Sequence, residues 1–189
     1  YNISYSVTDS NGTARVVRTV NVTDTVAPVL TPKWSGDTYV ECHGTFVDVG
    51  ATATDACKGD LSPAIVRTGT VNVNSLGDYV LTYNVSDPSN NAATPITQTV
   101  HVVDTTAPVI TLVGGDVTVP CHGVFTDPGF TVADACDVDV ASRVVRTGTV
   151  DVNTPKDYVL YYDVKDISNN AAVEVARTVH VVDTVLPVI

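Results

Sequence analysis

Methionine is absent from all 189 residues, position 1 included, so the sequence reads as a processed piece of a longer protein whose leader and any anchor lie out of view. No apolar run approaches the ~18–20 residues that a membrane-spanning helix needs, which excludes membrane insertion by a helix within this segment. Basic residues are scarce: ten Lys and Arg stand against 21 acids, a net charge of −11. That balance excludes nucleic acid and anionic lipid surfaces as partners, because both demand a basic face. Glutamate is nearly missing, with only Glu41 and Glu174, and the other acids are Asp. Nucleophile elbows, phosphate-cradling glycine loops and paired catalytic acids are missing too, so the sequence carries no enzyme signature. What remains is 44 % apolar and rich in Val and Thr. This is the composition of a folded, all-β protein whose Asp serves turns and oxygen-rich cation sites.

The strongest internal signal is a repeat. Displaced by 79 residues, Gly36–Val109 falls on Gly115–Val188 with 43 of 74 positions identical. "RTGTV" (Arg67–Val71) returns at Arg146–Val150, "SNNAA" (Ser89–Ala93) at Ser168–Ala172, and "TVHVVDT" (Thr99–Thr105) at Thr178–Thr184. The first stretch matches only the tail of the unit, and "LPVI" (Leu186–Ile189) matches its opening. The expected layout is a C-terminal hairpin of a partial repeat at 1–26, full repeats at 27–105 and 106–184, and the first strand of another at 185–189. A period this long suits bead-on-string domains.

Within a repeat, Tyr79, Leu81, Tyr83 and Val85 alternate with Val80, Thr82, Asn84 and Ser86 over Tyr79–Asp87. The second copy aligns Tyr158, Leu160, Tyr162 and Val164 in the same register. Alternation of period two predicts strands with one buried and one wet face. Ile96–Asp104 alternates likewise, and further strands are expected at Pro28–Thr31, Thr38–Cys42, Ala51–Asp55, Ala64–Val71 and around Val73. Some seven strands punctuated by Gly, Pro and Asp predict a two-sheet sandwich.

The string running from "DTTAPVI" through "DPGFTVADAC" and "RTGTVDVNTP" to "TVHVVDT" resembles bacterial immunoglobulin-like surface repeats of the hyalin-repeat and pesticidal-crystal-protein Ig-like kind, over essentially the whole chain. The resemblance implies tandem Ig-like sandwiches in an extracellular setting, and brings no catalytic residue with it.

Cys42 and Cys57 recur as Cys121 and Cys136. Each pair is expected to bridge neighbouring strands within its own repeat, stabilising it by roughly 3 kcal/mol. Free buried thiols and metal or redox chemistry are the alternatives, the latter weakened by the lack of Cys-x-x-Cys spacing. Disulfides would place the chain in an oxidising compartment. His43 and His122 adjoin a Cys and are expected to face away from it, while His101 and His180 lie on an outward face where the partial repeat has Asn21. Such exchange with Asn argues against a catalytic base.

Asp37, Asp48 and Asp78 are expected to cap turns. In an Ig-like sandwich, Asp55, Asp60 and Asp87 would meet Asp24 at the pole where the chain enters the first full repeat. Asp134, Asp139 and Asp166 would meet Asp104 at the next. Converging carboxylates repel unless a cation shares them, so interdomain Ca²⁺ is the expected cofactor. Sequons at Asn2, Asn11, Asn21 and Asn84 offer glycosylation sites that would make the chain a glycoprotein. Lys33, Lys58, Lys156 and Lys165 do not align between repeats, which argues against a shared isopeptide cross-link. Trp34 sits at a junction and is expected to pack between domains.

The linker "VVDTTAPVI", with Pro28, Pro108 and Pro187 at equivalent places, is short and stiff. At ~3.3 Å per residue, strands of this length give roughly 35–40 Å per repeat. The expectation is a rod: a segment of an extracellular stalk, filament or adhesin at the cell surface, whose partners are neighbouring Ig-like modules of the same chain or fibre. The alternative is an adhesion module that binds a glycan or protein ligand through its polar loops. The hairpin at 1–26 would be marginal alone and would be completed by upstream strands or by another chain.

Overall fold

A computed structural model describes residues 1–187. The chain is all-β. Its strands are β1 (Asn2–Asp9), β2 (Gly12–Thr19), β3 (Val29–Pro32), β4 (Thr38–Glu41), β5 (Ala51–Asp55), β6 (Gly59–Asp60), β7 (Val66–Thr68), β8 (Gly77–Asn84), β9 (Ile96–Val103), β10 (Val109–Leu112), β11 (Val117–Pro120), β12 (Phe130–Ala133), β13 (Val145–Thr147), β14 (Lys156–Asp163) and β15 (Val175–Val182). Single 3₁₀ turns at Ser62–Ala64 and Val140–Arg143 interrupt them.

Two compact units result: Tyr1–Thr38 with Val47–Val71 and Tyr79–Val100, and Tyr39–Phe46 with Asn72–Asp78 and His101–Ile189. These bounds cut across the sequence repeat. The second unit holds all of the second repeat together with the trailing end of the first.

In that second unit β10 pairs antiparallel with β12, and a four-stranded sheet runs β11–β15–β14–β13. β11 lies parallel to β15, with Val117 opposite Val179 and Val119 opposite Val181. The first repeat has the same four-stranded order, β4–β9–β8–β7, and its small sheet, β3–β5–β6, adds the short β6 beside β5. The core of the second repeat gathers Ile110, Val119, Tyr158, Leu160, Tyr162, Val164, Val179 and Val181. The alternation legible in β14 is the alternation observed: Tyr158, Leu160 and Tyr162 are buried and their neighbours exposed. Each such side chain contributes about 1.5–3 kcal/mol of burial.

The strand expected over Ala64–Val71 is shorter. A 3₁₀ turn takes its start, and the chain leaves the sheet at Gly69, where φ is +93° and any Cβ would run into the Val80 carbonyl. Gly148 repeats this against Val159 with φ +92°. No strand forms around Val73; its carbonyl instead accepts the His43 amide at 2.7 Å. Trp34 lies against Tyr83 within the first unit, ring centroids 4.9 Å apart and planes tilted by 31°. The hairpin β1–β2 pairs from Asn2↔Thr19 to Asp9↔Gly12 and is exposed on both faces. The opening strand expected at 185–189 ends on Val188 and Ile189, which lie outside the described residues.

One inward position defies the apolar pattern. Arg177 on β15 is fully buried, ion-paired to Asp127 and bonded to the carbonyls of Val113 at 2.7 Å and Gly129 at 3.0 Å. Burial disfavours the Asp127 carboxylate, yet the Gly129 amide, the Tyr162 hydroxyl and the flanking Arg146 and Arg177 outweigh it and hold its pKa below the usual value. Burial and Asp127 push the Tyr162 phenol up to about 12. The first repeat has Gln98 in place of Arg177. There Asp48 accepts from Tyr83 at 2.6 Å and Arg67 at 3.0 Å, and its pKa is likewise lowered, burial opposing and these donors prevailing.

Asp127→Ala strands a buried guanidinium and should cost about 3–5 kcal/mol in urea unfolding. Asp48→Ala leaves only neutral groups unpaired in the interior and should cost about 1–3 kcal/mol. Both carboxyls titrate lower folded than unfolded, so their contribution is present above the ordinary carboxylate pKa of about 3.9 and is lost as pH falls through the folded value. In both variants the acid limb of the stability–pH curve should flatten.

Candidate metal centre and the disulfide at the repeat junction

Asp104 follows β9 and opens the linker into the second repeat. One of its carboxylate oxygens, Oδ1, accepts from the Thr106 amide at 3.2 Å and hydroxyl at 3.1 Å. Asp134, just after β12, gives Oδ1 to the amides of Cys136 and Asp137, both at 2.8 Å. Asp166 accepts from the amide and side chain of Asn170, each at 2.8 Å. The same Asn170 side-chain nitrogen donates to the Asp104 carbonyl at 3.1 Å. Carboxylate oxygens of Asp104, Asp134 and Asp166 lie within 4.8 Å of one another. The second oxygens of Asp104 and Asp134 are buried without a hydrogen-bond partner, and Asp104 as a whole is only 7 % exposed.

Asp24 and Asp55 in the first unit reproduce this division of labour. Asp55 Oδ1 takes the amides of Cys57 and Lys58 at 2.8 Å each, and Asn91 donates to the Asp24 carbonyl at 3.1 Å. Oδ2 of Asp24 and of Asp55 is again buried and unpartnered, and the group closes with the Cys57 thiol. Asp24 and burial together push that thiol above its ordinary pKa.

Oδ2 of Asp104 and of Asp134 is unspent and water-excluded, whereas Asp166 gives one oxygen to the Asn170 amide and the other to the Asn170 side chain. Carboxylates this close repel one another, and unspent oxygens of this kind are donors that suit a hard divalent cation. The structure does not bring Asp60, Asp87 or Asp139 into these groups. Asp60 spends its carboxylate on the Ser62 amide at 2.9 Å, and Asp87 is held by Ser89 and Asn91. Asp139 stays exposed before the 3₁₀ turn. The residues sequence reasoning passed over are Asn91 and Asn170, legible only as the second Asn of the repeated "SNNAA", and Glu41. Thr105 donates to Glu41 through its amide at 2.9 Å and its hydroxyl at 2.8 Å, and these bonds lower the Glu41 pKa. Asp137 was missed as well: it is buried, ion-paired to Arg143 and an acceptor for the Ile167 amide at 3.0 Å.

The cysteines pair differently from expectation. Cys42 is bonded to Cys136, 94 residues away with 6.0 Å between the Cα atoms, while Cys57 and Cys121 are free. Strand direction explains the correction. In the second repeat β11 runs parallel to β15 and so delivers Cys121 to the trailing end, where its amide meets the Val182 carbonyl at 2.7 Å. β12 runs antiparallel to β10 and delivers Cys136 to the leading end, beside Asp104. Consecutive strands of opposite direction cannot bring their terminal cysteines together. Cys42, whose amide meets Val103 at 2.8 Å, meets the second cysteine of the following repeat instead. The turn after it places His43 in the left-handed region at φ +58°, with its ring on the Asn74 side-chain oxygen at 2.7 Å; His122 mirrors this at +64° against Asn153. His101 and His180 contact Asp78 and Asp157, each at 2.6 Å. Of the sequons, Asn2, Asn11 and Asn21 are exposed and Asn84 is half-buried in β8.

The profile of a bacterial surface protein Ig-like domain matches residues 33–102 and again 110–181. The chain belongs to that family. The family is one of surface domains and not of enzymes, which agrees with the missing catalytic motifs. An uncharacterized 81.3 kDa protein of Acholeplasma phage L2 is 31 % identical over 183 residues, covering 90 % of this chain and 24 % of the phage protein. The chain thus spans about a quarter of that relative. Among solved structures the chain is similar to the lipoprotein BT2262 of Bacteroides thetaiotaomicron, at 18 % identity over 74 % of this chain and 61 % of that one, TM-score 0.38. It is also similar to human protocadherin-24 EC1-2, at 15 % identity over 84 % and 100 %, TM-score 0.38. Among the described residues no helix is long and apolar enough to cross a membrane.

An alkylating reagent applied to the native, unreduced chain should label Cys57 and Cys121 and spare Cys42 and Cys136. After reduction and unfolding all four should react, as read by peptide mass spectrometry.

Proposed function

We propose that this chain is a segment of an extracellular stalk or fibre in which each Ig-like repeat is locked to the next, giving reach and fixed spacing. One observation carries the reading: the linker between the two matched repeats is held from both sides. From the first repeat, Glu41 clasps Thr105. From the second, Asn170 binds the Asp104 carbonyl, and Cys42–Cys136 ties the two covalently. A spacer needs this, because a free linker would turn repeats into swinging beads.

Calcium is the third element of the lock. Asp104, Asp134 and Asp166 supply three oxygens, and the cation removes their mutual repulsion. Asp24 and Asp55 would do the same where the chain enters the first repeat. The extracellular setting supplies both the oxidising conditions for the disulfide and calcium at concentrations that a site of few charges can bind. Glycans on Asn2, Asn11 and Asn21 would sit on exposed residues.

Saturating Ca²⁺ at about 100 times Kd should stabilise the chain by about 2.7 kcal/mol, raising Tm, with chelator reversing the shift. Asp134→Asn should reduce the response to the share of the Asp24–Asp55 site and, in chelator, should melt at or above the parent because one repelling charge is gone. Asp139→Asn should leave the response intact. An unchanged Tm on adding or removing Ca²⁺ would dispose of the cation. Electron microscopy of the native assembly should show a fibre with axial periodicity; isolated globular particles would refute the spacer role.

A further inference from the structure

The bond between Cys42 and Cys136 joins the first cysteine of one repeat to the second cysteine of the repeat that follows. The two free thiols occupy the same backbone positions as the bonded ones. Cys121 has its amide on the Val182 carbonyl at 2.7 Å, as Cys42 has on Val103 at 2.8 Å. Cys57 has its amide on Asp55 Oδ1 at 2.8 Å, as Cys136 has on Asp134 Oδ1 at 2.8 Å. The turn geometry agrees as well: His43 and His122, next to the first cysteines, share the left-handed conformation at φ +58° and +64°. Gly44 and Gly123 donate back to Glu41 and Pro120, each at 2.8 Å. The second cysteines share an acidic neighbour, Asp24 beside Cys57 and Asp104 beside Cys136. Within a repeat the two cysteines are carried to opposite ends by strands of opposite direction, so neither free thiol has a partner in its own repeat.

We propose that the cysteines form a head-to-tail relay, the first cysteine of each repeat bonding the second cysteine of the next. Cys57 and Cys121 are then half-bridges for the thiols of flanking copies of this repeat. Cys57 receives the first cysteine of a preceding repeat, and Cys121 reaches the second cysteine of a following one. The sequence on either side fits such partners: Tyr1–Asp24 matches the tail of a repeat, and Leu186–Ile189 matches its opening. One difference separates the two junctions. Pro120 stands where Glu41 does, so the junction after the second repeat keeps the covalent tie but lacks the carboxylate clasp on the linker threonine. Bond formation removes two protons and two electrons from a pair of thiols. A small-molecule disulfide accepts them: one thiolate attacks it and releases one small thiol, then the second cysteine displaces the other from the mixed disulfide.

The relay rests on the tandem-array reading for its partners, and the test supplies a partner directly. The 189-residue chain is compared with the same chain lengthened at its C-terminus by a copy of residues 111–184, so that residues 185–189 open the added repeat in register, both oxidised with glutathione disulfide and mapped without reduction. In the shorter chain Cys57 and Cys121 are alkylated. In the lengthened chain Cys121 loses its labelling and its peptide is linked to the peptide of the added copy's second cysteine. The number of free thiols remains two, now Cys57 and the first cysteine of the added copy. Cys121→Ser in the lengthened chain should free the added copy's second cysteine while Cys42–Cys136 persists, which shows that the variant has folded. A bond from Cys121 to Cys136, or labelling of Cys121 in the lengthened chain at the level of the shorter one, would overturn the relay and leave the spacer role to be judged by microscopy.

Discussion

The two strands that lead to the cysteines of a repeat run in opposite directions, as β11 and β12 do in the second, and that constraint shapes the junction between repeats. It carries the two cysteines of a repeat to opposite ends, so that Cys42 bonds Cys136 while Cys57 and Cys121 stay free. A disulfide that closes a short loop stabilises a module by restricting its own unfolded chain. One that spans 94 residues joins the first matched repeat to the second and closes no short loop within either. The interior of the second repeat is held by apolar packing and by the buried Arg177–Asp127 pair.

The electrostatics of the junction follow the same economy. Asp104 and Asp134 each commit one oxygen to nearby hydrogen-bond donors and keep the other unpartnered, while Asn170 takes both oxygens of Asp166. In a chain carrying a net charge of −11, placing three carboxylates within 4.8 Å is costly unless something positive joins them. Arg143 and Arg177 are engaged elsewhere, with Asp137 and Asp127.

Much of the fold was legible because period-two alternation is a direct consequence of the pleat. Tyr158, Leu160 and Tyr162 had to face one way, and they do. Arg177 and Gln98 were not legible, since a polar residue at an inward position reads as a defect until its partners are seen. Of the candidate aspartates, Asp104, Asp134 and Asp166 lie together, as do Asp24 and Asp55, and reasoning about which loops share a pole pointed to that proximity. Asp60 and Asp139 were misplaced because loop membership does not say which way a short side chain turns, and Asp60 turns onto its own backbone. The cysteine pairing failed for a different reason. A spacing of 14 intervening residues says how far apart two thiols lie along the chain, while strand direction decides at which end each one emerges.

Diffraction from crystals grown with Ca²⁺, collected at a long wavelength where calcium scatters anomalously, would test the account most directly. It predicts an anomalous peak bounded by the carboxylates of Asp104, Asp134 and Asp166, with oxygen distances of about 2.3–2.6 Å. Density there for a water molecule alone, or carboxylates in direct hydrogen-bond contact through a shared proton, would contradict it.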